Sequence, residues 1–339
     1  MNIRIYSLGL LCSTLFFFAC KQTHNSSLTD AAVYHEPSIE PYTQKIISSP
    51  EDAALYFARG KALCALGIDS IGLIDFKQAC HLDSTKAIYF SVIGDLLFEH
   101  KDISGSVQWL QKAIQLDPED PVAHLKIAKM FVFLQEYNKA FAEINTVLKR
   151  DVYNPEAYFL KGVIYKNAKD TSHAISSFQT AVQVQPNYTE AIEQLGLLYA
   201  AQKNDLCLKY FQNCFKIDST NVFTLFAIAT YYQAQGAIPK AKEYYQQCIF
   251  KDNQYSKAYF NLGWLLMQED SLEKASRQFD IITMVEPTNA EAYYNRGLCK
   301  ELMKKYAEAQ EDYQQALVFD AQNKNTKDAL KRIQTFIKK

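Results

Sequence analysis

Between Pro155 and Pro186 the apolar residues recur with the period of a helix rather than that of a strand. The pattern predicts two short amphipathic helices, from about 156 to 167 and from about 172 to 184, joined by a tight polar turn. Such a pair cannot bury its apolar stripes alone, so we expect neighbours of the same kind. The stripes contain Tyr158, Gly162 and Tyr165 in the first helix and Ala174, Phe178 and Ala181 in the second.

The same pattern returns along the chain with a period of 34 residues. Eight copies agree in register over residues 53 to about 323. One copy departs in length, because its turn near Lys203 lacks a residue. Each copy predicts a helix, a turn and a second helix. The copies begin at Ala53, Ala87, Pro121, Pro155, Thr189, Val222, Ser256 and Ala290.

Each copy carries small and large residues at fixed places, counted from its first residue. We expect the small residues to let the two helices of a copy approach closely, and the large residue to fill the gap to the next copy. The eighth places hold Gly60, Gly94, Ala128, Gly162, Gly196, Ala229, Gly263 and Gly297. The second helix opens with Gly72, Ser106, Ala140, Ala174, Cys207, Ala241, Ala275 and Ala309. Four residues later stand Phe76, Leu110, Ile144, Phe178, Phe211, Tyr245, Phe279 and Tyr313.

This period and this small-and-large pattern resemble the tetratricopeptide repeat. The resemblance implies an all-α fold, a right-handed α-solenoid of about eight helix-turn-helix repeats over residues 51–323. Arrays of this kind need capping elements at both ends. At the N-terminal end, residues 39–50 predict a single cap helix that Pro50 terminates. Residues 324–339 predict the C-terminal capping helix, with Ala329, Ile333 and Phe336 facing inward.

Residues 1–19 predict a secretory signal peptide. Arg4 gives a short positive start, and the apolar run that follows is too short to cross a bilayer comfortably. The ending at Cys20 resembles a bacterial lipoprotein box, although Phe17 departs from the usual leucine. That resemblance implies cleavage before Cys20 and lipidation of this cysteine. The alternatives are an ordinary signal peptide with an incidental cysteine, or an uncleaved anchor.

Residues 20–38 are polar at their start and predict a flexible tether after the lipidated cysteine. Lys21 follows the cysteine, where an aspartate would resemble an inner-membrane retention signal. By this resemblance, the expected location is the bacterial envelope, at the outer membrane facing the periplasm.

Composition narrows the possible partners. A formal net charge of -1 gives no electrostatic reason to expect nucleic acid as a partner. The 22 tyrosines and 21 phenylalanines, against 11 glycines and 9 prolines, suit a helix-rich chain with large aromatic wedges.

No constellation for catalysis, metal binding or a cofactor stands out in the sequence. The histidines are scattered, and His124 is interpreted as a packing residue. The cysteines of the repeats form no CxxC motif, so zinc and redox sites are not expected. Cys207, Cys214 and Cys248 occupy small-residue places and are interpreted as buried thiols, although a disulfide stays open. The sequence therefore favours a protein that is not an enzyme.

The tetratricopeptide resemblance implies that first helices line a concave groove, with ligand-facing side chains mainly at the second, fifth, ninth, twelfth and thirteenth places. The constellation resembling the family's carboxylate clamp for chaperone C-termini is not in register. The residues assigned to the groove are Phe57, Lys61, Leu125, Lys129, Phe159, Val163, Phe226, Phe260, Trp264, Met267 and Tyr294.

Two interpretations of the groove aromatics stay open. Phe260, Trp264 and Met267 share one face of a predicted helix. In the first interpretation, aromatic residues at the fifth place, such as Phe260, pack between helices. In the second, they line an apolar groove for a partner peptide or helix. In the second case Lys61, Lys129 and Lys257 would rim the groove.

The leading functional hypothesis is a membrane-tethered scaffold that docks envelope proteins or peptides. The alternative is an accessory or receptor protein for a cell-wall or carbohydrate ligand.

Overall fold

Helices account for all the regular structure that the computed structural model contains within residues 30–337, the part of the chain it describes. The predicted signal peptide, residues 1–19, and the predicted lipidation site Cys20 lie outside these residues. The helices are α1 (Asp30–Val33), α2 (Glu40–Ser48), α3 (Ala53–Ala65), α4 (Asp69–Leu82), α5 (Ala87–Glu99), α6 (Ile103–Leu116), α7 (Pro121–Phe133), α8 (Tyr137–Arg150), α9 (Pro155–Asn167), α10 (Thr171–Val184), α11 (Thr189–Ala201), α12 (Leu206–Ile217), α13 (Val222–Ala234), α14 (Ile238–Lys251), α15 (Ser256–Gln268), α16 (Leu272–Val285), α17 (Ala290–Leu302), α18 (Tyr306–Phe319) and α19 (Lys324–Ile337).

The eight odd-numbered helices from α3 to α17 begin at the residues where the eight sequence copies begin. Each is followed by the second helix of its copy, which confirms the predicted all-α class of helix-turn-helix repeats. The chain divides into two compact units, one ending at Met130 and the other beginning at Phe131. Within each unit, a helix packs mainly on the helices next to it along the chain.

The tight contact within a copy joins the eighth-place glycine to the large residue of the second helix. A Cβ added to Gly162 would lie 2.5 Å from a ring carbon of Phe178, and one added to Gly263 would lie 2.9 Å from the Phe279 ring. Both rings are fully buried. The large residue therefore packs against the glycine of its own copy. It also lies in one buried cluster with residues of the next copy, as Phe178 does with Ala191 and Leu195, which agrees with the expectation that it fills the gap between copies.

The turn between the two helices of a copy contains a residue with left-handed backbone geometry in every copy. In the fourth copy, the Asp170 amide donates to the Tyr165 carbonyl at 2.9 Å and the Lys169 amide donates to Lys166 at 3.0 Å, which closes the end of α9. Glycine, the residue that adopts this geometry most easily, fills only two of these turns. The residues are Gly67, Lys101, Gln135, Lys169, Lys203, Gly236, Asp270 and Lys304, with φ between 56° and 77°.

The shortened fifth copy keeps this turn. The Asn204 amide donates to the Tyr199 carbonyl at 2.9 Å, as the equivalent residues do in the other copies. The difference is that α12 has 12 residues, whereas α10 and the second helices of the remaining copies have 14. The loss therefore shortens the start of the second helix and leaves the helix-ending turn intact.

At the N-terminal end the folded part begins earlier than the predicted tether allows. Helix α1 falls within residues 20–38, and Val33 is 2% exposed in a cluster with Leu63 and Ile71. Helix α2 follows, close to the predicted cap, with Ile39 and Ile46 buried. Val33 and Tyr34, which belong to the predicted tether, therefore pack against side chains of the first copy.

At the C-terminal end, α19 has the register of another first helix. Ala329 and Ile333 are fully buried, as predicted. Phe336 is 50% exposed and stacks on Tyr306 at a centroid distance of 4.8 Å, so the prediction that it faces inward is wrong. Lys331 is exposed at the eighth place, where other copies have glycine or alanine, because no second helix follows within residues 30–337.

The glycine contact predicts the effect of overfilling. We expect Gly263→Leu to lower the free energy of unfolding by about 1–3 kcal/mol, because the new side chain would collide with the buried Phe279 ring. Urea unfolding followed by circular dichroism measures the change. Gln268→Leu, at an exposed position at the end of α15, is the matched control and should change stability little. Equal stability of the two variants would contradict the packing described for the eighth place.

Candidate functional site

Most of the fifth-place aromatics assigned to the groove pack against the large residue of the second helix in the same copy. Each such ring is half-buried rather than fully exposed. Leu125, the aliphatic member of the set, is 4% exposed. The packing interpretation of the fifth place is therefore supported. The pairs are Phe57–Phe76, Phe159–Phe178, Phe226–Tyr245, Phe260–Phe279 and Tyr294–Tyr313, with centroid distances of 5.6 to 5.8 Å.

Some fifth-place residues make a second contact with the residue just before the next copy. Phe159 packs on Tyr188 at 5.3 Å, and Phe226 meets Tyr255 edge-on at 5.5 Å. The side that each ring leaves partly exposed is thus flanked by another aromatic ring. These pairs form apolar walls that a peptide side chain can contact without the walls rearranging.

The ninth and twelfth places assigned to the groove in the later copies are also partly open to solvent. Val163, Trp264 and Met267 are half-buried, with Trp264 packed beside the core around Tyr245 and Met267 beside the core around Phe279. The unit that begins at Phe131 contains five complete first helices. We call their ninth-place side chains the ninth-place row. All of them are half-buried. The row consists of Val163, Leu197, Thr230, Trp264 and Leu298.

The three lysines of the predicted rim belong to different parts of the chain. Lys61 and Lys129 are exposed in the unit that ends at Met130, and the Lys61 ammonium lies 5.9 Å from the Phe57 ring centre. Lys257 is exposed in the other unit.

The histidine and cysteine interpretations agree with the burial of these residues. His124 is 6% exposed, and its Nε2 lies 3.1 Å from the Pro118 carbonyl oxygen. Cys207, Cys214 and Cys248 are fully buried, and the cysteines within residues 30–337 are free thiols. Burial raises the pKa of Cys248 to about 12, so this thiol stays protonated at neutral pH. Within residues 30–337, no group of three or more histidine, cysteine, aspartate or glutamate side chains could hold a metal ion.

Glu193 stands at a fifth place and was not selected for the groove by sequence reasoning. Its Oε1 accepts hydrogen bonds from Asn221 Nδ2 at 2.5 Å and from Cys214 Sγ at 3.7 Å. Burial raises the pKa of Glu193, although these two hydrogen bonds act to lower it. The available signal was a carboxylate at a fifth place, where most other copies have an aromatic or aliphatic residue.

Sequence reasoning also missed two ion pairs inside the first and last copies. Arg59 donates from Nε and Nη2 to the Asp75 carboxylate at 2.7 and 2.8 Å, and the carboxylate is almost fully buried. Arg296 pairs with Asp312 at 2.6 Å across the same interval of 16 residues. No other copy has arginine at this seventh place. A repeat-wide comparison of the seventh and twenty-third places would have revealed both pairs.

Both arginines reach back to the element that precedes their copy. Arg59 donates from Nη1 to the Thr43 hydroxyl of α2 at 3.3 Å and lies 4.5 Å from the Tyr34 ring centre. Arg296 contacts Asp280 and Thr283 of α16 through the same nitrogen. Each guanidinium thus joins three helices or their flanking turns. At the N-terminal end this contact adds to the apolar cluster that holds the cap on the first copy.

Comparison with known proteins agrees with this architecture. An array of consecutive helix pairs defines a helical repeat protein. Sequence models described as "Tetratricopeptide repeat" match residues 155–188 and 290–323, and a model described as "TPR repeat" matches residues 94–135. These matches confirm that the protein contains tetratricopeptide repeats.

Several curated proteins are similar to this chain along much of its length. A DnaJ homolog subfamily C member 7 homolog from Schizosaccharomyces pombe is 23% identical over 89% of the chain and 64% of its own length. The Hsp70-Hsp90 organizing protein of Triticum aestivum is 21% identical over 70% of the chain and 42% of its own length. Anaphase-promoting complex subunit 3 of S. pombe is 23% identical over 72% of the chain. The chain spans 38% to 64% of the length of these three relatives.

Solved structures show the same fold. The C-terminal part of a TPR repeat-containing protein from Cytophaga hutchinsonii superposes with a TM-score of 0.56, at 17% identity, over 70% of the chain and 98% of that structure. A tetratricopeptide repeat protein from Parabacteroides merdae superposes with a TM-score of 0.51, at 15% identity, over 73% of the chain and 98% of that structure.

The buried ion pair of the first copy predicts a stability effect. We expect Arg59→Met to lower the free energy of unfolding by about 3–5 kcal/mol, because it leaves the Asp75 carboxylate buried without its partner. Urea unfolding measures the loss. The double variant Arg59→Met, Asp75→Leu should recover much of it, because no buried charge is then left unpaired. A double variant as unstable as the single one would contradict an electrostatic origin of the loss.

Proposed function

We propose that the protein is a non-enzymatic interaction scaffold that docks proteins or peptides on its first helices. The observation that carries the proposal is the ninth-place row, in which equivalent, mostly apolar side chains of five successive first helices are all left half-buried. Partly exposed apolar side chains in register provide contact area, and burying them on binding releases about 25 cal/mol per Å². The relatives include a protein whose name describes it as organizing Hsp70 and Hsp90, which supports a scaffold role.

The proposal includes attachment to the bacterial envelope through a lipid on Cys20, with the repeats in the periplasm at the outer membrane. Its support is the sequence pattern of residues 1–20 and the polar residues that follow. Within residues 30–337, no helix is both long and apolar enough to span a membrane. Acyl chains supply membrane affinity of about 0.8 kcal/mol per buried CH₂ group, and more than one chain gives a stable anchor.

Truncating the ninth-place row should weaken partner capture. We expect Trp264→Ala to reduce crosslinking of partner proteins in cells several-fold, with helicity unchanged, because Trp264 is the largest side chain of the row. Crosslinking followed by quantitative mass spectrometry gives the readout, and circular dichroism gives the helicity.

Phe250→Ala is the matched control for this experiment. Phe250 is 88% exposed on the second helix α14, so its removal should leave capture through the first helices unchanged. Loss of helicity in Trp264→Ala would show that Trp264 is structural. Recovery of glycan with no protein partner would support the carbohydrate-receptor function instead.

The anchor has a separate test. We expect cells fed a radioactive fatty acid to label the protein, and Cys20→Ala to abolish the label, because this cysteine is the predicted acylation site. Cys299→Ala is the control, since this thiol is fully buried and should not affect labelling. Label that persists in Cys20→Ala would rule out lipidation at this residue.

A further inference from the structure

The fifth-place side chains of the unit that begins at Phe131 differ in polarity from copy to copy. In the fourth copy Phe159 pairs with Tyr188, and in the sixth copy Phe226 pairs with Tyr255. Between them, the fifth copy places Glu193 at the same position, paired with Asn221. Three successive copies thus present an apolar wall, a carboxylate and a second apolar wall.

The surroundings of Glu193 leave one of its oxygens unpaired. Oε1 is held by the Asn221 amide and faces the Cys214 thiol, whereas Oε2 has no hydrogen bond or ion pair with any residue in the described part of the chain. Glu193 is half-buried, so part of the residue is open to solvent.

The charge of Glu193 is also not neutralised by its neighbours. Glu190 and Asp218 add further negative potential, which together with burial disfavours the ionised carboxylate. Holding an anion at a half-buried position without a cation costs free energy. A ligand that brings a cation to Oε2 would offset that cost, and a charge-assisted hydrogen bond of this kind is about twice as strong as a neutral one.

We propose that Glu193 determines specificity by pairing with a lysine or arginine side chain of a bound peptide, whose flanking apolar side chains lie against the Phe159–Tyr188 and Phe226–Tyr255 pairs. This inference rests on the proposed peptide-docking function and names the chemistry of the ligand. Asn221 is a positioning residue, because its side-chain amide donates to Oε1 and so holds the carboxylate in place.

A library of short random peptides displayed on phage tests the proposal on the full chain. We expect the selected peptides to share a basic residue next to apolar residues. Glu193→Gln removes the charge and keeps the acceptor oxygen for Asn221, so the variant should fold. It should lose the basic preference and bind a selected peptide about tenfold more weakly. Glu243→Gln, at an exposed carboxylate on the second helix α14, removes the same charge and should change neither result.

A charge swap adds a second readout. A selected peptide with its basic residue changed to glutamate should bind the parent chain weakly and bind Glu193→Lys more tightly than the parent. Absence of this rescue, or a basic preference that survives in Glu193→Gln, overturns the inference while peptide docking stands. Recovery of no peptide by the parent chain would instead overturn the docking function and the inference with it.

Discussion

The close contact between a glycine or alanine in the first helix and a large side chain in the second is the constraint on which each helix pair depends. Gly162 has no room for a Cβ because the Phe178 ring occupies that space. The Phe178 ring packs on the fifth-place Phe159 at a centroid distance of 5.6 Å. Phe159 in turn packs on Tyr188, the residue just before the next copy. One absent methyl group thus sets the separation of two helices and the position of the aromatic side chains that pack on the Phe178 ring.

The ends of the array use a different interaction from its interior. All interior copies except the fourth, which has Lys161, carry an apolar residue at the seventh place, such as Leu195. The first and last copies place arginine there and a buried aspartate opposite. A well-packed apolar pair often stabilises a protein as much as a buried ion pair does. The arginines of the end copies are therefore better explained by the contacts that they make with neighbouring elements than by a larger contribution to stability. The Arg59 guanidinium donates a hydrogen bond to α2 and lies over the Tyr34 ring, and a leucine side chain could make neither contact.

The helix boundaries and the core followed from periodicity, because a repeat supplies eight independent observations of the same residue environment. Phe178, Tyr245 and Phe279 are fully buried, as their shared position predicts. What distinguishes one copy from another could not be obtained in this way. Whether Glu193 meets Asn221, or Arg59 meets Tyr34, depends on contacts between residues of neighbouring elements that no period encodes. The fifth place itself was ambiguous, since packing and ligand contact both favour aromatic residues there.

Packing chiefly between consecutive helices has a kinetic consequence. Contacts that are local along the chain need little loop closure, and proteins rich in such contacts fold quickly. Within each unit a helix pair can form soon after its two helices are available, without waiting for distant segments. The free energy of unfolding of such a unit is close to a sum of contributions from each copy and from the contacts between neighbouring copies. Partial unfolding can therefore begin at an end while the central helix pairs stay folded. The end copies, with their arginine forks, are where fraying would otherwise start.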